Sequence, residues 1–318
     1  MKTSTSKRLR WNVAIWLAAG LFMTSTAGMA SGPIMPDPKA EARHQPQVEE
    51  TANGIPLVNI TAPSSGGVSR NEYETFNVPD KGAILNNSYT LSKTELAGYV
   101  QGNNNMAERP AKIIVNEVTG AGSTSMDGFL EVAGNRADVV IANPNGITVN
   151  GGGFINTGKA FLTTGKPVYD GEDHLQRFDI TGGDILIEGK GLGGKETGSL
   201  AILSRAVKIN AGIWAKDLDI TTGANTVDAK TLEASAIEGK GGRPAFALDT
   251  AAIGGMYAGR ITLVGTEKGL GVNNSGTWSA EDNLTLDWNG DLKNSGTIYS
   301  KGNADLRASH LENDKTIA

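Results

Sequence analysis

The densest group of side chains able to hold an ion or move a proton is Asp170-Gly171-Glu172-Asp173-His174. Such a run could bind a hard divalent cation weakly, but it lacks the alternating ligands and closing bidentate Glu of an EF-hand loop. It reads as a solvated hairpin tip. Gly189-Lys190-Gly191-Leu192-Gly193-Gly194-Lys195 comes close to a phosphate-binding loop. The next residue, however, is Glu196, where Ser or Thr would have to hold Mg²⁺, and its charge repels phosphate. The histidines, His44, His174 and His310, share no metal-ligand spacing, and the chain has no Cys. Acidic residues are scattered, without the clustering on one groove that a polysaccharide-cleaving β-helix needs. A sugar-stacking platform would have to draw on Trp214, Trp278 and Trp288. No catalytic residue, cofactor or metal is expected, and the second reading kept open is a carbohydrate-binding or carbohydrate-cleaving β-helix.

More definite is the stretch Arg136–Asn150. Ala137–Ala142 is a short apolar, β-branched run, as in a strand buried on both faces. Asn143-Pro144-Asn145-Gly146 then forces a tight corner: Pro144 presets φ at the second turn position, and Asn145-Gly146 tolerates left-handed or bridge conformations. Strand-like residues resume at Ile147, Val149, Phe154 and Ile155.

The elements around this corner are short strands. Gly is abundant, at 42 of 318 residues, and aromatics are only 6%. That opposes helix interiors and favours an all-β chain with small-residue corners. Candidate strands are Leu57–Ile60, Tyr73–Val78, Ala83–Leu85, Ala111–Val118 and Gly128–Val132, with one helical turn allowed at Ser92–Tyr99. The first thirty residues differ. Lys2, Lys7, Arg8 and Arg10 precede the apolar run Trp11–Met23, and small residues lead to a cut between Ala30 and Ser31, the pattern of a signal peptide. Its removal leaves 25 Lys+Arg against 34 Asp+Glu, a net charge of about −9 that opposes nucleic-acid binding. Residues 31–52, with four prolines among charges, read as a flexible linker. A β-domain is expected over 53–265 and repeats over 266–318.

Those repeats set the architecture. Val272-Asn273-Asn274-Ser275-Gly276-Thr277-Trp278 returns 20 residues later as Leu292–Ile298, and 19 later again, weakened, as Leu311–Ile317. A period near 20 with short strands and Asn/Gly corners indicates a stacked solenoid, since one coil cannot bury its apolar positions alone. Equivalent asparagines would stack into a hydrogen-bonded ladder. The architecture these features require is a parallel β-helix. The last repeat ends without a covering segment, from which a continuing reading frame, and fraying after Leu292 in the isolated chain, are expected.

From about Leu57 to Pro167 the sequence resembles the secretion domain of the filamentous-haemagglutinin-like two-partner-secretion exoproteins. The likeness rests on Val68–Tyr73, Phe76-Asn77-Val78, Leu85–Ser88, Asn116–Gly120, Gly128–Gly134, Ala137–Ile147 and Gly153–Thr157. It implies a right-handed parallel β-helix with an N-terminal cap and extra-helical β-hairpins. It also implies Sec-dependent export to the periplasm of a Gram-negative bacterium. An outer-membrane Omp85-type transporter with POTRA domains would then pass the chain to the cell surface or medium. Downstream regions of family members meet host or neighbouring-cell receptors, as adhesins, cytolysins or contact-dependent growth-inhibition toxins. The family's recognition motifs map onto Asn143, Pro144, Asn145, Gly146 and Ile147, and onto Asn103, Asn105 and Met106. The second motif departs from the family's Asn-Pro-Asn-Leu: Asn104 replaces Pro and Met106 replaces Leu. Residues 103–106 are therefore expected to tolerate change better than 143–147. A Cys pair found in some members has Val149 and Gly152 in its place.

Overall fold

Inward-pointing Val, Ile and Leu at every second residue, interrupted by Gly and Asn corners, close the chain into a parallel β-helix with three sheet faces. The computed structural model describes residues 32–318 except Glu108, so the expected signal peptide and its cut at Ala30/Ser31 lie outside the described residues. One face is a parallel sheet running from Thr124–Met126 through Ile147–Val149, Asp184–Ile187 and Ala206–Ile209 to His310–Asn313. A second stacks Ala83–Asn87, Phe129–Gly134, Gly152–Ile155 and Leu192–Gly194. The third stacks Val68–Phe76, Ile113–Val118, Ala137–Ala142, Thr157–Thr163 and Ser199–Ser204. Gly212–Thr222 and Gly255–Gly265 run across the second and third faces as single long strands. One apolar core fills the helix from Ile34 to Ile298.

The 20-residue period is a register. Val272 pairs with Leu292, and Leu292 with Leu311. The asparagine ladder is present: Asn274 Nδ2 donates to Asn294 Oδ1 at 2.8 Å, and Asn294 Nδ2 to Asn313 Oδ1 at 2.7 Å. The register position before Asn274 is Thr250, whose Oγ1 accepts the indole N–H of buried Trp278 at 3.0 Å. Trp288 is buried as well, donating to Leu270 O at 2.8 Å. Two of the three tryptophans considered for sugar stacking are therefore core. Trp214 is half-buried and stacks on Tyr257 with ring centroids 6.1 Å apart.

Two sequence expectations need correction. Residues 31–52, expected as a flexible linker, form the cap over the first coil throughout their described part. Ile34–Pro36 pairs antiparallel with Val68–Phe76, and Gln47–Glu50 with Pro56–Asn59. Prolines and charges read as solvated chain, but buried Ile34 and His44 anchor the segment through contacts with later strands. Ser92–Tyr99 forms no helical turn. Ser92–Thr94 and Gly98–Val100 pair as a hairpin, because Gly98 takes φ +70° and reverses the chain.

Outside the helix, Lys166–Tyr169, Leu175–Ile180, Asn225–Asp228 and Ala234–Ala236 form an antiparallel sheet. Its Phe178, Ile180 and Val227 bury the outward Val140, Ala142, Phe161 and Leu203 of the third face. Ala137–Ala142 is thus buried on both sides as its composition requires: Val139 and Ile141 in the helix core, Val140 and Ala142 under this second layer.

Candidate functional site

Asn143 ends the doubly buried strand, and its side chain is fully buried. Its Nδ2 donates to Gly122 O at 2.9 Å and Thr124 Oγ1 at 3.0 Å, while its Oδ1 accepts the amide of Asn145 at 2.9 Å. The amide of Gly146 closes the turn on Asn143 O at 3.1 Å. Exposed Asn145 reaches back with Nδ2 to Gly120 O at 2.8 Å. The corner is therefore stitched to the preceding Gly120–Thr124 loop by two asparagine side chains. Gly146 has φ +111°, and an added Cβ would sit 3.1 Å from Asp184 O, so the position excludes other residues without strain. Pro144 is exposed and Ile147 is buried in the core. Beside Asn145 and Gly146 opens a cleft of about 440 Å³, bordered also by Thr148, Asp184 and Lys208.

The Asn103–Met106 corner has the same wiring without proline. Asn103 is buried, and its Nδ2 donates to Ile60 O at 2.8 Å and Asn86 O at 2.9 Å. Its Oδ1 accepts the amide of Asn105 at 2.9 Å, the amide of Met106 closes on Asn103 O at 3.1 Å, and Asn105 Nδ2 reaches Ile60 O at 3.1 Å. Met106 is fully buried in the core. Side-chain bonds preorganise the turn, which removes the structural ground for ranking this corner as the more tolerant one. Among the described residues the two corners share no hydrogen-bond partner: each ties its own pair of coils.

Sequence reasoning missed two supporting arrangements. Glu131, 3% exposed, accepts the amides of Glu95 at 2.7 Å and Leu96 at 2.9 Å, fixing the 92–100 hairpin that leads into Asn103. Burial pushes the Glu131 carboxyl up, against the pull of those two amides. The available signal was a lone carboxylate inside the apolar run Gly128–Val132. Elsewhere Arg70 lies 2.9 Å from Glu72 and 3.3 Å from Glu117, with its guanidinium over the Tyr169 ring. Burial raises the Glu117 carboxyl, and Arg70 opposes this. His44 Nδ1 sits 3.0 Å from Glu72, and Asp173 of the hairpin tip sits 2.8 Å from Arg43. The Asp170–His174 tip therefore docks on the cap as well as facing solvent. No group of three or more His, Asp or Glu is placed to hold a metal among the described residues.

A cap, three parallel faces and extra-helical hairpins together define a recognisable architecture. A family model described as "TPS secretion domain" matches residues 33–298. The chain belongs to the TPS secretion domain family. This TPS domain superposes on the crystal structure of the filamentous hemagglutinin secretion domain with a TM-score of 0.74. That match has 32% identity and covers 89% of this chain and 97% of the other. It is 42% identical over 297 residues to Toxin CdiA of Yersinia pestis, covering 86% of this chain and 9% of the relative. To the 16S rRNA endonuclease CdiA of Enterobacter cloacae it is 44% identical over 292 residues, covering 89% and 9%. The TPS domain thus spans about a tenth of these relatives' length, and the nuclease activity in the second name belongs to that whole protein.

Proposed function

We propose that this domain carries a contact-dependent growth-inhibition exoprotein out of a Gram-negative cell. The route runs through the periplasm and a dedicated outer-membrane transporter of the Omp85 type, whose POTRA domains take up the unfolded chain. In this reading the domain is a secretion and folding module with no catalytic step of its own. Asn103, Asn105 and Met106, with Asn143–Ile147, are the segments that commit the chain to export and to its first coils. The observation carrying the reading is the pair of corners, where buried asparagines join each coil to the one before it. Stability on the order of 5–15 kcal/mol, accumulated as coils add, suffices to bias passage outward without ATP. Receptors on host or neighbouring cells are left to downstream parts of the exoprotein.

The test expresses the domain with its cognate transporter and compares extracellular with periplasmic protein. Asn145→Ala, which removes an exposed side chain, should shift protein to the periplasm while the purified variant keeps the parent's fold. Normal export of Asn145→Ala and Gly146→Val together would end this assignment of the corner.

A further inference from the structure

Apart from two residues, every described arginine has a carboxylate oxygen within 4.0 Å, and Arg109 and Arg136 are the two that have none among the described residues. Both line one cleft of about 460 Å³, together with Lys112, which is also without an ion-pair partner there. No described carboxylate borders it, although the chain carries a net negative charge. The walls are Pro63–Ser65, Gly67, Pro110, Ala111 and Asn135, so neutral donors sit beside the three cations. The cations are held in place. Arg136 Nη2 donates to Thr157 O at 2.7 Å, which fixes the guanidinium plane. The Lys112 stem lies against Gly67, where an added Cβ would meet its Cγ and Cδ at 3.0 Å. Arg136 also borders the neighbouring cleft that holds Glu95, Glu131 and Glu196, without forming an ion pair to any of them.

We propose that this cleft binds a phosphoryl group. Two planar guanidinium forks and an ammonium, with no ion pair to a described carboxylate and lining a space of that size, match a dianion whose oxygens can each accept more than one donor. A single carboxylate would satisfy one fork and leave the others unpaired. Phosphoryl chemistry has two sources, a soluble phosphate or a phosphate-bearing lipid headgroup, and the site would accept either. This role uses none of the corner asparagines, although the Arg109 amide donates to Met106 O at 2.7 Å.

The experiment uses the purified, folded chain. Inorganic pyrophosphate is titrated calorimetrically, and vesicles of phosphatidylcholine with or without phosphatidic acid are tested by flotation. Arg109→Gln and Arg136→Gln should each weaken binding about tenfold or more, as expected for loss of a charge-assisted contact. Raised salt should weaken it further. Lys293→Gln, on the C-terminal coils, should leave binding unchanged. Binding of pyrophosphate assigns the site to soluble phosphates. Binding of phosphatidic acid vesicles alone assigns it to a lipid headgroup. Absence of both, binding that survives the double variant, or displacement of pyrophosphate by polyglutamate at lower concentration would overturn the proposal, the last in favour of an acidic protein segment. Matching denaturation midpoints for variant and parent keep a folding defect from imitating a lost site.

Discussion

Asp173 reaches Arg43 across 130 residues of sequence, carboxylate to guanidinium at 2.8 Å. The same carboxylate lies 4.0 Å from the buried ring of His44, so one hairpin tip closes on the N-terminal cap. Asp173→Ala should therefore act locally. Hydrogen exchange should accelerate around Arg43 and His44, with the 137–163 strands unchanged, because this one carboxylate lies against both side chains. Unaltered exchange throughout would show that the tip merely rests on the cap.

Asn143→Ala removes the donor to the buried Thr124 Oγ1, the donor to Gly122 O and the acceptor of the Asn145 amide. A loss of about 1–3 kcal/mol is expected for such buried polar groups. Asn103→Ala should cost a similar amount, since its bonds to Ile60 and Asn86 are equivalent. Urea denaturation of both variants checks this. If Asn103→Ala leaves the midpoint in place while Asn143→Ala lowers it, the shared wiring has no energetic meaning.

Gly146→Val tests backbone strain. A β-branched residue at φ +111°, facing Asp184 O, should destabilise the domain by roughly 1–3 kcal/mol. Gly146→Ala should be milder but still unfavourable. A Gly146→Ala variant as stable as the parent would mean that the turn relaxes freely.

Asn294→Ala should break the ladder on both sides. It removes the acceptor for Asn274 and the donor for Asn313, at about 1–3 kcal/mol for the partner left buried. Proteolysis should then begin beyond residue 280, where coils depend on this column. Cleavage patterns identical to the parent's would count against the ladder as a stabilising element.

Acid should favour the parent over Glu117→Gln. Burial raises the folded-state pKa of Glu117 above the ordinary 4.5, so in mild acid the folded chain takes up a proton before the unfolded chain does. The charged form is penalised at neutral pH, and the penalty is relieved as pH falls through the raised value toward 4.5. The parent's stability relative to Glu117→Gln should accordingly increase as pH falls from neutral through the raised value toward 4.5. A constant difference in midpoint, or a shift the other way, would contradict the burial argument.

Some of this protein was legible in its residues alone. The apolar run Ala137–Ala142 demanded burial on two sides, and the Val272, Leu292 and Leu311 repeat demanded stacking in register, because both follow from local spacing and the need to hide apolar surface. The corner at Asn143–Gly146 was legible for the same reason: turn chemistry is written within four residues. Tertiary structure decided which layer covers Val140 and Phe161, that residues 34–50 are cap, and that Asp173 meets Arg43. It also decided that Asn103–Met106 keeps its turn without proline, through bonds to Ile60 and Asn86. Those outcomes depend on which distant carbonyl or side chain a corner faces once the coils have closed. Outside the 20-residue repeat, no periodicity within the chain encodes the partner of a buried amide, so only the folded helix could supply it.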